Sequence, residues 1–188
     1  MAFDDEKRSA MEKKDRSRKG AIDEGIKGLV SAINSHPDHY TTSSCAGRIV
    51  LLKKSGDNRK DKAGWVFSSH EKADSDDIIE AIEGCDMSSK ESLWLKQEGP
   101  IIHAACRGLD EAKQLIDSAG KAGFKRASVQ SFSRRIIVEI LDTERIDMPV
   151  VLDERVLFDP SSLRPVILEA NRKLEKARER INKLERFF

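Results

Sequence analysis

The densest group of chemistry-capable side chains in the sequence is Tyr40-Thr41-Thr42-Ser43-Ser44-Cys45-Ala46-Gly47-Arg48, a run of hydroxyls closing on a glycine and an arginine. Hydroxyls, backbone N–H groups in a glycine turn and a guanidinium suit an anion or the polar edges of a ligand. Burying such a run is costly unless something satisfies it. The same residues could instead cap and pair a strand-to-turn junction, with Arg48 in a surface ion pair. Cys45 lies too few positions before Arg48 for a phosphatase loop, so packing or a ligand contact suits it better than nucleophilic attack. His70 and His103 each close a strand pattern, and imidazole is the side chain suited to proton transfer at neutral pH. Asp23 and Glu98 are the acidic alternatives, although Asp23 also suits a helix start. His36, His39 and Cys45 lack a convincing fourth ligand, so no metal site is implied. Trp65 and Trp94 sit in strand patterns, where they either fill a core or stack on a base.

These residues must be positioned by a chain with charged residues at 36% and no apolar run long enough to span a bilayer. No membrane association is expected. The acidic start, Met1-Ala2-Phe3-Asp4-Asp5-Glu6, has no apolar segment of a secretory signal, so a cytoplasmic location is expected. Cys45, Cys85 and Cys106 are odd in number and lack paired spacing, which argues against a disulfide framework.

The net charge of +1 conceals an uneven distribution. Residues 13 to 19 carry Lys13, Lys14, Arg16, Arg18 and Lys19 against Asp15. Residues 53 to 62 carry Lys53, Lys54, Arg59, Lys60 and Lys62 against Asp57 and Asp61. Lys13, Lys19, Lys53, Lys54, Arg59, Lys60 and Lys125 are the candidate contacts to RNA phosphates, and each patch alone could also be a solvated helix or loop face.

Hydrophobic periodicity supplies the framework. Residues 4 to 16 suit a polar helix. Ile22, Ile26, Leu29, Val30 and Ile33 form the apolar stripe of a second helix that Pro37 stops. Strands are expected at 40–42, 48–53, 64–69, 92–97, 101–106, 129–132 and 136–141. Helices are expected over 74–83, with acids in the first turn, and from Leu109 to Ala119. The Gly99-Pro100 pair separates two of the strands as a turn. Paired strands between helices predict an α+β fold with an antiparallel or mixed sheet. No glycine-rich strand-to-helix fingerprint is present, so a Rossmann fold is not expected. Leu163, Ile167, Ala170, Leu174, Ala177, Ile181, Leu184 and Phe188 form a heptad seam. It could pair with a second copy or, more economically, lie on the chain's own helices. The expected organisation is one α+β domain over residues 1–160 with an N-terminal helical segment, then a basic heptad helix over 161–188.

Several ordered blocks then agree with one family. The 40–48 run is similar to the Ser-Ser-Cys-Ser-Gly-Arg signature of the wybutosine-synthesizing protein 3 family, with Ala46 in place of the serine that follows the cysteine. Residues 15–23 resemble the segment that leads into the signature. Trp65-Val66-Phe67-Ser68-Ser69-His70 resembles the family's Trp and Ser-His block. Leu93-Trp94-Leu95-Lys96-Gln97-Glu98-Gly99-Pro100-Ile101-Ile102-His103 resembles its Trp-x-Lys-x-Glu to His block. Ala105-Cys106-Arg107, the 122–128 stretch and residues 138–149 continue the match, with Ala127-Ser128 where Ser-Gly is expected. The resemblance implies an S-adenosylmethionine-dependent enzyme that methylates N4 of the tricyclic guanosine derivative beside the anticodon of phenylalanine tRNA. It also implies that His70, His103 or Asp23 serves chemistry. Thr42, Ser43, Ser44, Cys45, Gly47, Arg48, Lys96 and Glu98 would then hold cofactor or substrate. A non-catalytic RNA-binding module, or a small-molecule enzyme using the hydroxyl loop, would be the competing readings.

Overall fold

The computed structural model describes residues 2–12, 21–55 and 64–188. In chain order the elements begin with α1 (Ala2–Glu12), a 3-10 turn (Glu24–Ile26), α2 (Lys27–Ser35), β1 (His39–Cys45), β2 (Arg48–Ser55) and β3 (Gly64–Ser69). Then come α3 (Ser75–Glu83), β4 (Glu91–Glu98), β5 (Ile101–Cys106), α4 (Leu109–Ala122), β6 (Arg126–Ser131) and β7 (Ile136–Leu141). β8 (Ile146–Leu152), β9 (Arg155–Val156) and α5 (Pro160–Glu185) complete the chain. They divide into two compact units, one made of residues through Ala46, Pro100–Thr143 and Ala177–Phe188, the other of Gly47–Gly99 and Glu144–Lys176.

The first unit is built on a sheet of order β1-β5-β7-β6 whose neighbours are all antiparallel. Alternation sends Ile102, Ala104, Val138 and Ile140 to one face, where they meet Leu29 and Ile33 of α2, Leu115 and Ala119 of α4, and Ile181 and Leu184 of α5. Leu29, Ile33 and Ala119 lose all exposure, as their helical spacing requires. Gly123 ends α4 in the left-handed region at φ 101, which lets the Phe124 N–H return to the Ala119 carbonyl at 2.9 Å.

The second unit has a sheet of order β3-β2-β4-β8-β9, again antiparallel. Ile49, Leu51, Leu93 and Leu95 line its core face beneath Ile78 and Ile82 of α3 and Leu163, Ile167, Ala170 and Leu174 of α5. α3 starts where the Asp74 carboxylate accepts the Asp76 N–H at 2.7 Å. The start of α5 is closed in the same way, by the Ser162 N–H on Asp159 at 3.0 Å.

The fold class expected from the sequence is therefore present, as two antiparallel sheets with packed helices. The seam of α5 is occupied within the chain, since every seam residue from Leu163 to Leu184 is at most 3% exposed. Two features depart from the sequence reading. The strands on either side of Gly99-Pro100, β4 and β5, belong to different sheets, where one sheet was expected. Strands β8 and β9 follow residue 141, where no strand was expected.

Candidate active site

One polar row crosses the first unit's sheet. Thr41 pairs with Ala104 and Ser43 with His103, so Thr42 is an extra residue that bulges β1. A bulge moves the following side chain to the opposite face, and here it sets Ser43 rather than Thr42 beside His103. The Thr42 hydroxyl closes the bulge by donating to the His103 carbonyl at 3.3 Å. Beyond His103 the row continues to Glu139, its direct partner on β7, and to Ser128 on β6.

The contacts along this row fix the imidazole. His103 Nε2 lies 2.8 Å from Glu139 Oε2, and Nδ1 lies 2.8 Å from the Ser43 hydroxyl oxygen. A carboxylate only accepts, so the Nε2–H donates to Glu139. When the ring is neutral, Nδ1 is left as the acceptor and the Ser43 O–H donates to it. The His103 and Glu139 side chains are 18% and 23% exposed, whereas Ser43 is open to solvent. Gln130 donates a further, longer bond to Glu139 Oε2 at 3.4 Å. A neutral imidazole backed by a carboxylate is a general-base arrangement.

Neighbouring side chains hold this sheet face. Tyr40, fully buried, packs its ring on Phe3 of α1 at 5.3 Å. Glu6 of α1 pairs with Arg134 and Arg135 at 2.9 and 3.3 Å. Arg107 joins Asp4 and Asp38, each at 2.6 Å. At the end of the signature run, the buried Asp23 carboxylate accepts the Ala46 N–H at 3.1 Å. Asp23 precedes the 3-10 turn, yet its side chain does not cap it. His39 opens β1 and Cys45 closes it, about 20 Å along an extended strand, so His36, His39 and Cys45 are not gathered around one point. Burial pushes the Cys106 thiol up to about 12.

In the second unit, Gly47 adopts φ 84 and hands the chain to Arg48 at the head of β2. The Arg48 guanidinium bonds Glu98 at 2.6 Å and lies 4.1 Å over the Trp65 ring. Lys96 meets Asp147 at 3.1 Å. Lys54 lies 3.8 Å over Trp94, while Lys53 bonds Glu91 at 2.9 Å and the Asp86 carbonyl at 2.6 Å. His70 Nδ1 is 2.9 Å from the Gly47 carbonyl. Both tryptophans are thus on the face away from the core, with Trp65 45% exposed. Lys125 is exposed just after the turn that ends α4. Lys13, Lys19, Arg59 and Lys60 lie outside the described residues.

The structure brings together Ser43 and His103, which the sequence names as separate candidates, and adds Glu139, which the sequence reading omits. Its signal is an acid between Val138 and Ile140 in an otherwise apolar strand. The sequence reading also passes over Gln97, which is fully buried with neither side-chain polar atom bonded among the described residues.

The chain is similar to known proteins along nearly its whole length. A model of the family described as Methyltransferase TYW3 matches residues 5–188. The chain is 32% identical over 185 residues to a Thermococcus sibiricus protein named tRNA(Phe) 7-((3-amino-3-carboxypropyl)-4-demethylwyosine(37)-N(4))-methyltransferase, covering 97% of this chain and 92% of the relative. It is 39% identical over 168 residues to the Archaeoglobus fulgidus protein of the same name, covering 87% and 81%. A solved structure from Pyrococcus horikoshii superposes with a TM-score of 0.86 at 30% identity, covering 98% of this chain and 94% of that one.

Proposed function

Since the chain belongs to the Methyltransferase TYW3 family, we propose that it transfers a methyl group from S-adenosylmethionine to N4 of a 4-demethylwyosine-type guanosine beside the anticodon of phenylalanine tRNA. The observation that carries this reading is the match over residues 5–188 to a family whose relatives bear that activity in their names. The geometry supports it through His103, which Glu139 and Ser43 hold at the two ring nitrogens on one sheet face.

S-adenosylmethionine supplies an electrophilic methyl on a sulfonium. Its ribose hydroxyls and charged amino-acid part suit the donor set of Thr42, Ser44 and the neighbouring backbone, where the hydroxyls are exposed or half-buried. The protein's own work is then to align the accepting nitrogen, exclude water and take the ring proton. Phosphate contacts would come from Lys54 and Lys125 and from the basic stretches at 13–19 and 59–62.

The decisive experiment is incubation with methyl-labelled S-adenosylmethionine and phenylalanine tRNA lacking only this methyl. Label in the tricyclic nucleoside after nuclease digestion is the expected result. Tight, salt-sensitive tRNA binding without transfer would favour the non-catalytic RNA-binding reading.

A further inference from the structure

We propose that Ser43 is the proton-accepting contact of the reaction and that it relays the proton to His103, with Glu139 as the positioning residue. This deepens the methyl-transfer reading and rests on it. The argument begins with the occupancy of the imidazole. Nε2 is taken by Glu139 and Nδ1 by Ser43, each at 2.8 Å, so neither ring nitrogen is left to meet a substrate directly. Ser43 is the exposed member of the row, and its oxygen keeps lone pairs after donating its own hydrogen. A substrate N–H can therefore reach this base through the Ser43 oxygen.

The bulge at Thr42 supports the assignment. An unbulged β1 would turn Thr42 toward His103 and Ser43 to the other face, so the irregularity is what delivers the hydroxyl. On the other side, the direct cross-strand register of His103 with Glu139 holds the ring with its proton on Nε2.

The transfer balances as follows. A bond forms between the substrate nitrogen and the methyl carbon, and the carbon–sulfur bond of the sulfonium breaks with its electron pair left on sulfur. The nitrogen gives its proton to the Ser43 oxygen while the Ser43 hydrogen passes to His103 Nδ1. The resulting imidazolium faces the Glu139 carboxylate, and solvent removes the proton after product leaves.

Ser43→Ala, Ser43→Thr and Glu139→Gln, each checked for folding by circular dichroism, test this in the full chain. Ser43→Ala should lower kcat by about a hundredfold or more, the usual scale of general-base catalysis. Its tRNA affinity, measured separately by filter binding, should stay within about twofold, as expected for an interaction made in the transition state. Ser43→Thr should recover most of the rate, and Glu139→Gln should lower kcat without weakening binding. In mixtures of light and heavy water the parent rate should depend on deuterium fraction with the curvature of two moving protons, and that curvature should vanish in Ser43→Ala. A parent rate in Ser43→Ala, a loss of binding that matches the loss of rate, or a threonine that restores nothing would overturn the relay. If the parent protein itself transfers no methyl, the function proposed above fails instead. The relay can still be read by nitrogen NMR of the protein alone: proton placement on Nδ1 rather than Nε2 of His103 would reject it.

Discussion

Asp23 Oδ2 accepts the backbone N–H of Ala46 at 3.1 Å, linking the residue before the 3-10 turn to the residue after β1 within the first unit. Ala46 has no exposure and Asp23 is 8% exposed, so water cannot replace the bond. Asp23→Ala should therefore cost about 1–3 kcal/mol, the penalty for stranding a buried donor. Asp23→Asn keeps an acceptor oxygen and should cost less. Urea unfolding of the two variants measures this. If Asp23→Asn folds with near-parent stability and yet loses methyl transfer, Asp23 has a chemical role beyond the bond.

His39 provides the pH dependence. Burial holds its imidazole below the usual value of 6.5, outweighing the Glu111 carbonyl contact, and nearby His36 acts in the same direction. The Phe188 ring seats edge-on against it at 5.8 Å. Below its usual value the unfolded chain binds a proton that the folded chain resists. The stability from neutral His39 is thus present above about pH 6.5 and is lost as pH falls toward the lowered folded value. Denaturation midpoints across pH 5 to 8 should decline on the acid side, and His39→Gln should flatten that decline. An unchanged slope in the variant would assign the acid sensitivity elsewhere.

The end of α5 is core rather than appendage. Leu184 and Ile181 are 0% and 1% exposed and belong to the first unit's apolar cluster. Leu184→Ala should cost about 2–5 kcal/mol, the range for emptying a buried leucine site. Deleting residues 172–188 should therefore unfold the first unit. Loss of the cooperative urea transition in the truncated chain is the expected result; an intact transition would contradict this packing.

How much of this was legible in the sequence depends on the range of the cause. Elements set by local periodicity, such as α2 with Leu29, Val30 and Ile33, or β7 with its apolar run, were readable because each pattern is complete within a few residues. The α5 seam was readable for the same reason. β8 was hidden because Asp147 and Pro149 interrupt its apolar residues, and its place depends on pairing with β4. The Ser43 and His103 candidates came from residue type, but their partnership depends on a bulge and a register between strands 60 residues apart. Glu139 was missed because only that register sets it beside His103. Lys53 is a candidate phosphate contact from its basic neighbours, and its bonds to Glu91 and the Asp86 carbonyl come from residues too distant in the chain to be read locally.

Gln97 yields the prediction in which polarity works against stability. It continues the inward alternation of Leu93 and Leu95 on β4, lies opposite Ile49 and Ile146, and has no exposure. Neither its amide nitrogen nor its oxygen is bonded among the described residues. An amide removed from water without compensation costs about 1–3 kcal/mol by protein mutational measures. Leucine has nearly the same volume, fits the alternation and carries no polar atom. Gln97→Leu should therefore raise stability by about 1–3 kcal/mol, seen as a higher midpoint with an unchanged denaturant slope. Gln97→Glu should do the reverse, because a carboxylate at the same position must either bury its charge or take up a proton. If Gln97→Leu lowers the midpoint instead, the amide is satisfied in solution, for example by a bound water, and the strand tolerates it at no cost.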